Sequence, residues 1–277
     1  MVYGPPLPLD GPLPEAPPFR LLDTALVVRD GFPHIENGVH VYPFPTITPE
    51  GTIPCADGTY RTKDEGTGVD LPIFGPFAAY VAETCSSLSI RSQEDFRARA
   101  SLVLDATESM AVERQLLLDV FSTGSPYVGD SNATILSGAA VDPIEGLALL
   151  EDAIGGTGRQ GLIHATPSTL AAWDGLGAEI VERDGKLNTR RGTPIVVGDG
   201  YIGTNPDGEA APGATQAWAY ATGPVVVYRA PDVFMLPDNV KEALNRDSNV
   251  ITYRAERPFV AWWDTALQAA VLIDRSA

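Results

Sequence analysis

Few residues in this sequence are of types that carry chemistry, and their spacing argues against most of it. Gly156-Thr157-Gly158-Arg159-Gln160-Gly161 spells a dinucleotide-binding GxGxxG. That fingerprint works only where a strand runs in and a helix leaves, so that helix N-terminal N–H groups meet the pyrophosphate. Here a helical pattern precedes the motif and the apolar run GLIHA (161–165) follows it, so it reads as a helix-terminating turn. His34, His40 and His164 share no HxH, HExxH or CxxC spacing and read as surface or core histidines. A hydrolase triad around His164 would need a serine, and no GxSxG elbow is present. Asp199, Asp207 and Glu209 form an acidic loop without EF-hand order and read as solvated turn acids. Glu151 and Asp152 could serve as paired acids, but adjacent helical residues project about 100° apart and cannot flank one substrate. Asn132-Ala133-Thr134 fits a glycosylation acceptor, which has meaning only in a secreted chain. No catalytic, cofactor-binding or metal-binding residue is assigned, and the chain is expected not to be an enzyme.

Composition narrows the classes further. Of 277 residues, 44% are hydrophobic and 20% charged, the balance of a folded protein with a substantial core. Nineteen Lys and Arg against 36 Asp and Glu give a formal charge of -17, which repels polyphosphate and disfavours a dedicated nucleic-acid-binding module. Cys55 and Cys85 are expected as free thiols, although they could pair. No apolar run is long enough to span a bilayer and the N-terminus lacks a signal-peptide pattern, so a soluble chain made in the cytoplasm is expected.

The elements are arranged around one stretch, Ser92 to Phe121, which contains neither Pro nor Gly in a chain with 24 and 27 of them. Phe96, Ala100, Val103, Thr107, Met110 and Leu117 recur at helical steps, whereas Glu94, Arg97, Arg99, Asp105, Glu108 and Glu113 fall mostly on other faces. Ser92 with Asp95 reads as a capping box, and Gly124 and Pro126 end the pattern. A helix over 92–121 would be roughly 45 Å long, a spine from which separate lobes hang.

Ahead of it, residues 1–20 hold seven prolines (5, 6, 8, 12, 14, 17 and 18) and can be neither helix nor central strand. Read as an extended arm it has Leu7, Leu9, Leu13 and Phe19 as apolar points of attachment; a disordered tail is the equal alternative on composition. LLDTALVVRD (21–30) closes it as a short strand or helix. Residues 38–65 read as a long exposed hairpin with a Pro/Gly tip, rising through Val39, Val41 and Tyr42 and returning through GTYRTKDE. FGPFAAYVAETCSS (74–87) is strand-like.

After the spine, Asp142-Pro143 and Thr166-Pro167 each read as an N-cap with Pro at the first helical position, flanking the buried strand GLIHA. Strand signals follow in TPIVVGDG, QAWAYATG and PVVVYRA, then a short helix near Asp238–Asn245, then the extended run NVITYRAERPFVAWWDTALQAAVLID. Trp262 and Trp263 there should face opposite sides of a sheet.

Taken in order, these parts resemble the major capsid proteins of tailed bacteriophages (the Hong-Kong-type fold) and, more distantly, encapsulins. The resemblance lies in the arm 1–35, the hairpin 38–70, the spine 92–121 and the terminal NVITYRAERPFVAWWDTALQAAVLID. It implies an α+β capsid fold divided into an N-terminal arm (1–35), an extended loop (36–73), a peripheral domain (74–126, with spine helix 92–121), an axial α/β domain (127–248), and a closing strand that returns to the axial domain (249–277). It also implies self-assembly through hexamers and pentamers into an icosahedral shell that encloses double-stranded DNA without reading its sequence, in a virion assembled in the host cytoplasm. The partners it implies are further copies of the chain, a separate scaffolding protein, a portal and room for a decoration protein, with no membrane and no cofactor. Phe19, Val41, Tyr42, Arg61 and Lys63 are the candidate inter-subunit contacts. Lys63, the only lysine of the hairpin, permits a covalent crosslink without indicating one. The alternatives are an encapsulin-like shell, another phage structural part, or a soluble acidic hydrolase.

Overall fold

The structure, a computed structural model, describes residues 11–30, 35–41, 72–86, 92–237, 243–248 and 250–276. The spine is the helix α2, Gln93–Leu118, and its start follows the local chemistry. Ser92 Oγ accepts from Asp95 N at 3.2 Å, and the Asp95 carboxylate accepts from Ser92 N at 3.0 Å, a reciprocal capping box. Its end comes three residues before the expected Phe121, because Asp119 turns left-handed at φ 46°. The Asp119 carboxylate then gathers the amides of Thr123 (2.9 Å) and Gly124 (3.0 Å) and the Thr123 hydroxyl (2.7 Å), bonds that hold its pKa below the usual carboxylate range.

Two sheets flank the spine. The peripheral sheet is built on β14, Val250–Trp263, which is about 46 Å long at 3.3 Å per residue, somewhat longer than the roughly 39 Å of α2. Along one side β14 pairs antiparallel with β4, Phe77–Ser86. Along the other it pairs in turn with β13 (Leu244–Asn245), β12 (Phe234–Leu236) and β11 (Val225–Arg229). Pro258 falls at the change from β12 to β11, the part of such a strand where a missing N–H costs least. β1, Leu26–Val28, pairs parallel with β11. Odd-numbered residues of β14 from Tyr253 to Trp263 are buried, and Arg257 among them bonds to the spine. Trp263 meets Phe74 edge-on at 5.0 Å, while Trp262 takes the opposite face and is half-buried, as alternation requires.

The second lobe is a seven-stranded mixed sheet. Its order is β5 (Thr134–Ile135), β15 (Gln268–Asp274), β10 (Gln216–Thr222), β6 (Leu162–Ala165), β9 (Pro194–Val197), β8 (Lys186–Asn188) and β7 (Val181–Arg183). The helices α3, Pro143–Gly156, and α4, Pro167–Gly175, start at the expected Asp142 and Thr166 caps. Leu150, Ile154, Trp173, Ile163, Val271 and Ile273 make the lobe's own core. A larger cluster joins α2, both sheets and Leu21.

Three sequence expectations change. The closing run is two strands in different sheets, broken between Trp263 and Gln268, so a single stretch ties the sheets together. Of the helix expected near Asp238–Asn245, residues 238–242 lie outside the described residues and Ala243 is helical, but Leu244–Asn245 is a strand, held by pairing with β14. Of the apolar face read for the spine, Phe96, Ala100 and Leu117 are buried, whereas Val103, Thr107 and Met110 are only half-buried. The buried stripe instead takes in Leu104, Glu108, Val112, Glu113 and Leu116, so two glutamates read as surface residues lie in the interior.

Candidate functional site

The site is the root of the arm, where the N-terminal segment passes from solvent into the molecule. Residues 11–18 are all exposed, Leu13 to 69%, whereas Arg20 is 5% exposed and Leu21 fully buried. The turn is made at Phe19, a non-glycine residue at φ 66°. Its carbonyl accepts from Val197 N at 2.8 Å, and its half-buried side chain packs against the lobe core. A four-residue helix, α1 (Leu21–Thr24), follows, and then β1, so both alternatives read for 21–30 occur in succession.

Contacts to three bodies fix this root. Toward the lobe, Lys186 Nζ donates to Thr24 O at 2.8 Å, and Arg20 forms an ion pair with Asp199. Toward the peripheral sheet, β1 adds to β11. Toward the spine, Leu21 N donates to Glu113 Oε1 at 3.2 Å and Leu22 N to Ser109 Oγ at 3.4 Å.

Glu113 is the common point. Its Oε1 also accepts from the Ser109 hydroxyl at 3.2 Å, and its Oε2 accepts from Gly200 N, in the lobe's 198–201 turn, at 3.0 Å. A Cβ placed on either Gly198 or Gly200 would lie 2.5 Å from Glu113 atoms, so the lobe backbone closes directly over the carboxyl. Burial raises its pKa above the ordinary 4.5, outweighing the opposing pull of the Gly200 and Leu21 amides, Arg20 and Ser109.

Glu108, the other interior acid, faces the peripheral sheet. Its carboxylate accepts from Arg229 Nε at 2.7 Å and pairs with Arg257, and both arginines reach Asp105, at 3.2 and 2.9 Å. Desolvation raises its pKa even against two guanidiniums. Glu108 thus fastens the spine to the sheet, and Glu113 fastens it to arm and lobe.

The two ends of the segment 42–71 are held together. β2, Val39–His40, pairs antiparallel with β3, Ile73–Phe74, and Val41 N donates to Pro72 O at 3.1 Å, so 41 and 72 lie side by side. Gly38 introduces the ribbon at φ 88°, where a Cβ would meet Phe74 O at 2.8 Å. The half-buried Val41 packs on the main core of its own subunit. Tyr42, Arg61 and Lys63 lie outside the described residues, as do Cys55, His34 and the return strand expected at GTYRTKDE.

The residues weighed for chemistry are dispersed. His164 is fully buried, with Nδ1 3.0 Å from Tyr201 Oη and Nε2 2.9 Å from Thr222 Oγ1. Thr222 gives its proton to Gly223 O (2.8 Å), so Nε2–H donates to Thr222 and Nδ1 accepts from Tyr201. Burial lowers the His164 pKa to about 3. Glu151 accepts from the Thr189 (2.5 Å) and Thr193 (3.0 Å) hydroxyls and so braces the turn between β8 and β9, whereas Asp152 is exposed. Asp199 pairs with Arg20 and Asp207 accepts from the Tyr127 hydroxyl, while Glu209 is exposed. Among the described residues no group of three or more acids, histidines or cysteines is placed to hold a metal. Gly156 ends α3, and the rest of its GxGxxG is the turn into β6.

The interior glutamates were the functional signal the sequence reading missed. Leu104, Glu108, Val112 and Leu116 recur every four residues, as do Ser109, Glu113 and Leu117, so each acid shares a stripe with leucines.

No family model matches the sequence, and no curated protein does. Solved structures do match its fold. The capsid of a native GTA particle computed with C5 symmetry superimposes with a TM-score of 0.55 at 12% identity, over 99% of this chain and 95% of that one. A structure from Mycobacterium phage Che8 gives 0.52 at 13% identity, over 100% and 98%. One from Gordonia phage Cozz gives 0.51 at 14% identity, over 90% and 84%. The chain has the α+β fold of tailed-phage major capsid proteins.

Proposed function

We propose that this chain is the major capsid protein of a tailed double-stranded DNA bacteriophage, a structural subunit without turnover that assembles as hexamers and pentamers into an icosahedral shell. The observation that carries the reading is the end-to-end match of its fold to a particle capsid, 99% of this chain on 95% of the other. On this reading residues 1–35 are the arm, 36–73 the extended loop, 74–126 the peripheral domain, 127–248 the axial domain and 249–277 the closing strand. Two features support it physically. The stretch 11–18 is exposed, Leu13 included, and residues 39–41 pair with 72–74, so the two ends of the segment between them lie side by side. Elements without a core of their own gain stability by contact with another copy. The encapsulin reading shares the fold but has no observation in its favour over this one.

The partners proposed are further copies of the chain, a separate scaffold, a portal and a decoration protein, in a virion assembled in the host cytoplasm around DNA that the acidic wall does not grip. Phe19, Val41, Tyr42, Arg61 and Lys63 are proposed as contacts between copies. Size-exclusion chromatography with negative-stain imaging of the purified protein tests the reading. Rings or closed shells are expected, and a monomer of 29.4 kDa under all assembly conditions overturns it. Reversing Arg61 and Lys63 to Glu should then impair assembly more at low salt than at high salt, without changing monomer melting.

A further inference from the structure

The geometry points to Glu113 as a proton-controlled latch: its neutral carboxyl closes the arm root and the 198–201 turn onto the spine, and its ionisation loosens both. The latch is a property of the single subunit and does not depend on the shell reading.

Three observations carry it. Glu113 is fully buried, yet among the described residues none of the ion pairs includes it. The groups around it are poor counterions. From the arm root come Arg20, whose Nη2 pairs with Asp199 while its Nε is buried without a hydrogen-bond partner, and Asp23, which accepts from Arg20 N at 3.0 Å. From the lobe come the Asp199 carboxylate and Tyr201, whose hydroxyl reaches back to a His164 that burial keeps neutral. The spine itself offers the neutral Ser109. Finally, each oxygen of Glu113 takes a backbone N–H from a different element, Leu21 from the arm root and Gly200 from the lobe. A neutral carboxyl can keep both by reversing the Ser109 bond, its own proton then donating to Ser109 Oγ.

The direction follows from linkage. Lifting the arm root or the glycine turn hydrates Glu113 and returns its ordinary proton affinity, whereas the closed junction binds the proton more tightly. The closed form is therefore favoured as pH falls and opens progressively as pH rises through the raised value. Glu108 is not available for this role. It faces Arg229 and Arg257, and neutralising it would take the charge partner from a buried and a half-buried guanidinium.

Hydrogen exchange of the full-length, unassembled protein tests this, read at the Leu21 and Gly200 amides with amides of the β10–β15 pairing as controls. After correction for intrinsic exchange, protection of the two latch amides should fall about five-fold or more between about pH 5 and about pH 8, with the controls flat. Glu113→Gln should abolish that slope. Ser109→Ala keeps the carboxyl and removes a partner of both its charged and its neutral form, so a slope of the same sign should remain, which gives a second readout if the first variant fails to fold. A flat profile in the wild type, a slope shared with the controls, an unchanged slope in Glu113→Gln or a lost slope in Ser109→Ala overturns the inference.

Discussion

Arg229 Nε lies 2.7 Å from Oε1 of Glu108, and that bond joins the last residue of β11 to the middle of the spine helix across 121 residues of sequence. Arg257 of β14 takes the other oxygen of the same carboxylate. The peripheral sheet and the spine are thereby fixed in register by a group that apolar packing alone would not specify.

Removing that carboxylate should be costly. Glu108→Ala leaves Arg257, itself 5% exposed, and Arg229 to share the half-exposed Asp105 as their acid partner, and is expected to lower stability by about 3–5 kcal/mol in urea unfolding. Asp105→Ala, at a half-exposed partner of the same arginines, should cost no more than about 1 kcal/mol. Equal losses for the two would show that the clamp is not centred on Glu108.

The arm should separate cleanly from the fold at Phe19. Deleting residues 1–18 is expected to leave the thermal midpoint unchanged, because 11–18 are exposed, while closed shells fail to form. Extending the deletion through Arg20 removes the Asp199 pairing and should lower the midpoint measurably. Normal particles from the shorter deletion would remove the arm from assembly.

The two glycines above Glu113 should not tolerate a methyl group. In Gly200→Ala the new Cβ falls 2.5 Å from Glu113 Cβ, and in Gly198→Ala 2.5 Å from its carboxyl carbon. The glutamate cannot swing away without losing its amide donors, so each variant should cost about 1–3 kcal/mol. Gly156→Ala, where a Cβ meets nothing within 4 Å, serves as the neutral control in the same melting assay.

His164 gives the fold a defined acid sensitivity. Its pKa is about 3 when folded and near 6.5 when exposed, so the unfolded chain binds the extra proton between those values. The stability this residue permits is complete above about pH 6.5 and is lost by about 1.4 kcal/mol per unit as pH falls toward 3. His164→Gln can still meet Tyr201 and Thr222, and should reduce the pH slope of urea unfolding by one proton. An unchanged slope would place the acid sensitivity elsewhere.

The spine should be intolerant of a break. Met110→Pro removes a backbone donor and strikes the preceding turn, costing about 3 kcal/mol or more. Yields and melting equal to wild type would contradict a continuous helix from Gln93 to Leu118.

Local chemistry was legible in the sequence alone. Ser92 and Asp95, Asp142-Pro143 and Thr166-Pro167 started their helices where read, and the turn at 156–161 ended one, because caps and breakers act within a few residues of themselves. The apolar strand runs and the opposite facing of Trp262 and Trp263 were equally local. So was a signal passed over: Asp184-Gly185, both at positive φ, turns β7 into β8 in the manner such pairs favour.

What the tertiary structure decided is where charge goes. Glu108 and Glu113 carry no sequence mark separating them from Glu94 or Asp105, since a carboxylate is expected at the surface unless its partners are known. Those partners are Arg229 and Arg257 from two distant strands, Arg20 and the Leu21 amide from the arm root, and Gly200 from a lobe turn. Only the fold brings them within bonding distance, so the sequence determined the elements, while long-range contact alone determined which acids fasten them together.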